Sequence, residues 1–263
     1  MKNELEMGLF SRRSLTDSLA REQITELSDF GGGLMRPDKY GEFEPIRTPF
    51  DPVDISKPIR GLAKPGGGFF YRKGRPVHVS GGMWNYTRPP TARFPSPPFT
   101  NYWTGQFDGK WANRIGVEKI GDFVSHMFRL TCSDFGFLTS EIDMKAKNTI
   151  ATSLSYKGLD PACGVPGLYW IDYFSDQYAE WLGLCELPRE LGVLKKLVGG
   201  GVSLKFCEFP DECRSLEVLH KQRATIEWLG PQRFFDNRFP DRKLEVPDWD
   251  NLPLPSEESA RKT

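Results

Sequence analysis

The stretch from Gly167 to Leu184 constrains the fold more than any other: Gly-Leu-Tyr-Trp-Ile-Asp-Tyr-Phe-Ser-Asp-Gln-Tyr-Ala-Glu-Trp-Leu-Gly-Leu. Its first half, Gly167 to Phe174, is dense in aromatic and β-branched residues, the composition of a half-buried strand. Ser175 then offers a helix N-cap, and Asp176 sits in the first turn, where a negative charge suits the helix dipole. Tyr178, Trp181 and Leu182 follow at helical spacing, and Gly183 is a stop signal. A strand therefore turns sharply into a short helix, and both have aromatic faces to bury. The 26 glycines and 21 prolines argue for many turns and loops and against a helical bundle.

The rest of the chain supplies further elements. Met1 to about Leu27 reads as one amphipathic helix marked by Leu15, Leu19, Ile24 and Leu27, broken by Gly31-Gly32-Gly33. The prolines between Leu34 and Pro52 exclude regular helix or central strand, so this segment is expected to lie extended on the surface, anchored by Tyr40, Phe43, Ile46 and Phe50. Phe69–Lys73 and Pro76–Trp84, joined through Lys73-Gly74, read as a β-hairpin with His78 on its polar side. Tyr86 to Trp111 is expected to be a long aromatic-rich loop with room for one edge strand.

Val117 to Leu130 is the clearest helix, with Ile120, Phe123, Val124, Met127 and Phe128 as its buried stripe. Phe135–Ser140 reads as a short strand, and Lys145–Asp160 as irregular chain. A short helix from Leu187 is expected to turn Leu191, Leu194 and Leu197 inward, and Val202–Cys207 alternates as a strand. Asp211–Leu229 reads as the last long helix, with Leu216, Leu219, Ile226 and Leu229 on one face and Gly230-Pro231 ending it. The proline-rich, charged chain from Asp236 is expected to wrap the surface or fray. The glycine triplets read as hinges or tight turns, because none follows a strand and opens a helix with a Gly-Lys-Ser/Thr completion.

The chemistry is sparse. Lysine plus arginine balances aspartate plus glutamate at 35 each, so no global basic field gathers nucleic acid and charged recognition has to be local. Cys132, Cys163, Cys185, Cys207 and Cys213 contain no Cys-x-x-Cys, which argues against a disulfide scaffold or structural zinc and suits a cytoplasmic protein. The N-terminus has no signal-peptide core, and no apolar run is long enough to cross a bilayer. His78, His126 and His220 fall in different expected elements. Glu141-Ile-Asp143-Met-Lys145 has the acid-x-lysine pattern of a restriction-type nuclease core, but the lysine lies where irregular chain is expected. No catalytic residue, cofactor or metal ligand is assigned. Asp172, Asp176 and Glu180 are the candidate partner-binding residues. Asp176 and Glu180 share a helix face, Asp172 precedes them on the strand, and acids set among Trp and Tyr form the kind of surface that meets a basic protein.

Two stretches carry a resemblance. Gly32-Gly-Leu-Met-Arg-Pro-Asp-Lys-Tyr-Gly-Glu-Phe-Glu-Pro-Ile-Arg-Thr-Pro-Phe-Asp51 and Gly167–Gly183, with Trp228-Leu-Gly-Pro-Gln-Arg-Phe234 in support, resemble the bacterial immunity proteins of family fifty-two and the related type VI secretion immunity family. The likeness runs from about Gly31 to Phe235. It implies an α+β fold, mainly antiparallel sheet packed by several helices, with long Pro/Gly-rich surface loops. It divides the chain into an N-terminal extension (1–30), one immunity-like domain (31–235) and a charged tail (236–263). It also implies a non-enzymatic antitoxin that binds a cognate toxin in the cytoplasm, the toxin being a nuclease of restriction-endonuclease fold, with no direct nucleic acid or membrane contact. An adaptor of a secretion apparatus is the alternative, followed by a nuclease or thiol hydrolase.

Overall fold

A computed structural model describes residues 4–85, 99–148 and 161–255. Ten strands form one sheet: β1 (Leu5–Ser11), β2 (Lys39–Gly41), β3 (Thr48–Pro49), β4 (Gly68–Lys73), β5 (Val79–Asn85), β6 (Asn101–Phe107), β7 (Phe135–Ser140), β8 (Ile171–Phe174), β9 (Val193–Lys196) and β10 (Val202–Lys205). Their order is β3-β2-β4-β5-β6-β1-β7-β8-β10-β9, and every neighbouring pair is antiparallel. The helices are α1 (Asp17–Gly33), α2 (Ser56–Ala63), α3 (Gly109–Ile115), α4 (Val117–Leu130), α5 (Glu141–Asn148), α6 (Asp176–Leu182) and α7 (Leu216–Leu229). The fold is α+β, as expected. No described helix is long and apolar enough to cross a membrane.

The chain start departs most from expectation. Residues 1–30 were expected to be a helical extension outside the domain, yet β1 is an inner strand paired with β6 on one side and β7 on the other. Leu5, Met7 and Leu9 alternate with Glu6 and Gly8, and this period of two buries one side of β1 on the helices. The helical period begins only at Asp17, behind the Thr16 cap, which accepts from Leu19 N at 3.2 Å. The helical backbone breaks at Phe30, and Gly31 and Gly32 then adopt positive φ of 57° and 73°, a conformation that glycine adopts readily.

Cross-strand partners share a sheet face, so the register separates two cores. On the first face Leu5, Met7 and Leu9 meet Trp103 and Phe107 of β6, Val79 and Met83 of β5, and Phe69 and Tyr71 of β4, under α1, α2 and α4. On the second face Phe10, Phe135, Phe137, Phe174 and Leu204 lie under α6 and α7. Tyr178 of α6 stacks on Trp181 and meets Phe135 and Phe174 within 6.3 Å. The tail joins this second core, with Trp249 lying 5.0 Å from Phe99 and 5.5 Å from Tyr178. Arg12 crosses Trp249 and donates to the carbonyls of Trp249, Leu252 and Pro253. The expected division at residues 30 and 235 therefore does not follow the packing, because both terminal segments are built into the same body.

Several elements match the sequence reading. The β4–β5 hairpin forms, α4 spans Val117–Leu130 and β7 spans Phe135–Ser140. Ser175 caps α6 by accepting from Tyr178 N, and Gly183 ends it in the left-handed region. Other elements differ. β6 replaces much of the expected long loop and lies inside the sheet, while Tyr86–Pro98 falls outside the described residues. Lys145–Asn148 is helical, and the remainder of the expected irregular segment up to Asp160 is not described. Leu187–Leu191 forms no helix, and Leu194 lies in edge strand β9 opposite Leu204. On α7 the buried face is Val218, Gln222, Thr225 and Leu229, turned inward so that Gln222 donates to the Tyr169 carbonyl and Thr225 to the Leu191 carbonyl, and Leu216 in the first turn is exposed. Of the anchors expected in the proline-rich segment, Tyr40 and Phe50 are buried against Phe69, whereas Phe43 is exposed.

Candidate functional site

Among the described residues, helices cover the second face over only half its width. Along β4, β5 and β6, the first-face residues Phe69, Tyr71, Val79, Met83, Trp103 and Phe107 are buried, whereas their second-face neighbours Phe70, Arg72, Ser80, Trp84 and Gln106 are half-buried and Thr104 is exposed. Among the described residues, the helix lying on β4 and β5 is α2, whose Ile59 and Leu62 belong to the first-face core.

A cleft of about 450 Å³ opens at one end of this surface. Strand ends and loops build it: Arg72 from β4, His78 just before β5 and Ser80 within it, Gln106 of β6 and Asp108 just after it, Glu4 ahead of β1, and Glu44 and Ile46 from the β2–β3 connection. Beside it Glu6 accepts from Gln106 Nε2 at 2.7 Å. Carboxylate oxygens of Glu4, Glu6 and Glu141 lie within 4.8 Å of one another, and Glu141 pairs with Lys145. Burial, with lesser contributions from Glu141 and Glu4, outweighs the Gln106 hydrogen bond and pushes the Glu6 carboxyl up to about 7. Five carboxylates (Glu4, Glu6, Glu44, Asp108, Glu141) thus stand against Arg72 and Lys145, with Lys39 opposite Arg72 on β2. His78 stacks on Trp111 with ring centroids 6.1 Å apart and planes 6° apart. The arrangement presents a polar, acid-rich rim beside half-buried Phe70 and Trp84, themselves packed edge to face at 5.2 Å.

The sequence pointed to a different surface. Asp172 was expected beside Asp176 and Glu180 on an exposed patch, and the structure corrects this, because Asp172 is fully buried on β8. One of its oxygens accepts from Tyr169 N at 2.8 Å and the other has no partner. Burial, and secondarily Asp143 nearby, raises its pKa well above the usual aspartate value, against the Tyr169 N–H and Lys147, which lower it. Period-two alternation does place Asp172 opposite Ile171 and Tyr173, but on this half of the sheet both faces are covered. Asp176 and Glu180 are exposed on α6, without Asp172.

The nuclease-like run also separates. Asp143 faces inward, accepting from Thr139 Oγ1 at 3.0 Å and pairing with Lys147 at 2.7 Å, while Lys145 turns outward to Glu141. The histidines do not converge: His78 stacks on Trp111, His126 pairs with Glu26 at 3.0 Å, and His220 is exposed on α7. Sequence reasoning missed Glu4 and Glu6, although their alternation with Leu5, Met7 and Leu9 was a strand signal.

No protein-family model and no curated protein sequence matches the chain. The fold is similar to that of the Pseudomonas aeruginosa T6SS protein PA0821, with a TM-score of 0.58 and 11% identity over 95% of this chain and 92% of that one. At this identity the likeness establishes a shared fold across nearly the whole of both chains.

Proposed function

We propose that the chain is an immunity-type binding protein that holds a cognate secreted toxin, a nuclease effector of restriction-endonuclease fold, in a stoichiometric complex, with no chemistry of its own. The acid-rimmed half of the second sheet face, on which no described helix lies, carries this proposal. It offers aromatic area beside carboxylates, which suits a partner whose own binding surface is basic, as a nucleic-acid-cleaving surface is. A standard interface buries about 1,600 Å² in total, so the partner would reach beyond the cleft across β4, β5 and β6. The resemblance of Gly32–Asp51 and Gly167–Gly183 to immunity proteins supports the same reading, as does the fold shared with a T6SS protein. The encounter would be cytoplasmic, where a nuclease toxin meets its substrate.

Co-expression with each secreted nuclease effector of the host is the direct test. One effector should lose its toxicity and co-elute with the chain at one-to-one stoichiometry. If every effector stays toxic and none forms a complex, the proposal fails. The neighbour is named as a T6SS protein and nothing more, which favours an adaptor of the secretion apparatus as the second reading. An adaptor would leave co-expressed toxins active, and its deletion would stop secretion without poisoning sibling cells.

A further inference from the structure

Between β10 and α7 two thiols face each other. Cys207 Sγ lies 3.5 Å from Cys213 Sγ, and both are free. The loop that brings them together is held at several points. Glu212 accepts from the backbone N–H groups of Glu208 and Phe209 at 3.2 and 3.1 Å, closing the turn that separates the two cysteines. Trp170 Nε1 donates to the Cys207 carbonyl at 3.1 Å, and the Cys207 thiol donates to the Phe209 carbonyl at 3.3 Å. Cys213 is fully buried within the first-face core, whereas Cys207 is partly exposed. One sulfur can therefore meet a reagent from solvent, and the other waits behind it.

We propose that Cys207 and Cys213 form a redox-active dithiol that closes to an intramolecular disulfide on exchange with a low-molecular-weight disulfide of the glutathione class. A disulfide needs its sulfurs about 2.05 Å apart, so closure asks for a shift of about 1.5 Å, within the reach of side-chain rotation and slight movement of the loop. The exposed Cys207 thiolate attacks one sulfur of the small disulfide, whose S–S bond breaks and releases one thiolate. That thiolate takes up the proton lost by Cys207. The Cys213 thiol then loses its proton, and its sulfur attacks Cys207 and expels the second small thiol, which carries that proton away. Two protein thiols are oxidised by two electrons and one small disulfide is reduced to two thiols. The order of events follows the environment. The hydrogen bond from Cys213 holds the Cys207 pKa below the usual thiol value, whereas the same bond and burial push Cys213 up, which suits an attacking and a resolving cysteine. This pair does not depend on the sheet surface proposed to bind a partner.

The test is equilibration of the full chain with oxidised and reduced glutathione, acid quench, alkylation under denaturing conditions and peptide mapping. The alkylatable cysteines should fall from five to three, with a linked Cys207–Cys213 peptide that dithiothreitol reverses. Cys213→Ser should stop at glutathione mixed with Cys207, and Cys207→Ser should leave Cys213 unmodified while circular dichroism shows both variants folded. Glutathione resting on Cys207 of the wild-type chain without closure would overturn the proposal. So would a linkage from Cys207 to another cysteine, or five free thiols throughout.

Discussion

The two halves of the sheet solve different burial problems. In β4, β5 and β6 large apolar residues fill the first face, and the second face keeps Arg72, Ser80, Thr104 and Gln106 against Phe70 and Trp84. In β7 all six residues are buried, and in β8 only Ile171 is not fully so. Among the described residues, the first half is a one-sided antiparallel sheet with a half-buried second face. The second is a two-sided core in which even an aspartate is sealed in. Both halves bury a large apolar core, and they differ in what lies on the second face.

Truncating rings in the two halves should separate them most widely. Phe135 is fully buried among Phe10, Phe137, Phe174 and Tyr178, with ring centroids 5.5 to 6.3 Å away. Phe135→Ala should cost about 3–5 kcal/mol in urea unfolding, from lost transfer energy and the cavity left behind. Phe70→Ala, on the half-covered face, should cost about 1 kcal/mol. Equal losses would mean that the first half is as well covered as the second.

The same contrast explains what the sequence could tell. α4, β7, the β4–β5 hairpin and the Ser175–Gly183 helix were legible because cap, period and stop agree locally in each. β1 is hidden in the sequence because Leu15, Leu19, Ile24 and Leu27 impose a helical period just downstream of the alternating Leu5–Leu9. Asp172 was misplaced because the rule that a polar strand residue faces solvent holds only where one sheet face is open. The cleft could not be read at all. Glu6 and Gln106 are 100 residues apart, and Glu6 and Glu141 are 135 apart, so strand pairing alone brings them together.

Glu6 makes the open half sensitive to pH. Its folded pKa is raised from 4.5 to about 7, so between these values the folded chain keeps a proton that the unfolded chain has lost. The slope of stability with pH is negative there. The stabilisation is complete below 4.5, fades as pH rises towards 7 and is flat above. Each pH unit is worth up to about 1.4 kcal/mol. Glu6→Gln should flatten this segment of the stability curve relative to wild type, as seen in urea titrations between about pH 5 and about pH 7. Superimposable curves would show that Glu6 is ionised in the folded chain. Asp172→Asn should act in the same direction in the second half, because its folded pKa is raised as well.

Surface charge gives the next effect, read on partner binding. Glu4→Lys with Glu44→Lys reverses two acids of the cleft rim without touching a core residue. On the proposed function it should weaken partner binding about tenfold at low salt, mostly through slower association, or about 1.4 kcal/mol. Unchanged affinity would move the interface away from the open half.

The smallest effect belongs to the acids of α6, and it tests the comparison from the other side. Asp176→Lys with Glu180→Lys alters two exposed positions over the two-sided half, and stability should change by about 0.5 kcal/mol, the Asp176 share coming from the helix N-terminus. Affinity for the proposed partner should stay within about twofold, since long-range attraction between exposed charges is screened beyond about 10 Å. Adding Asp172→Lys should cost about 3–5 kcal/mol more, because it puts a charge into a fully buried position. A triple reversal at Asp172, Asp176 and Glu180 that lost binding would therefore report lost stability as much as a lost contact. Only the α6 pair, with circular dichroism unchanged, can show whether this side of the molecule meets a partner. A clear loss of affinity in that folded pair would put the interface on the two-sided half.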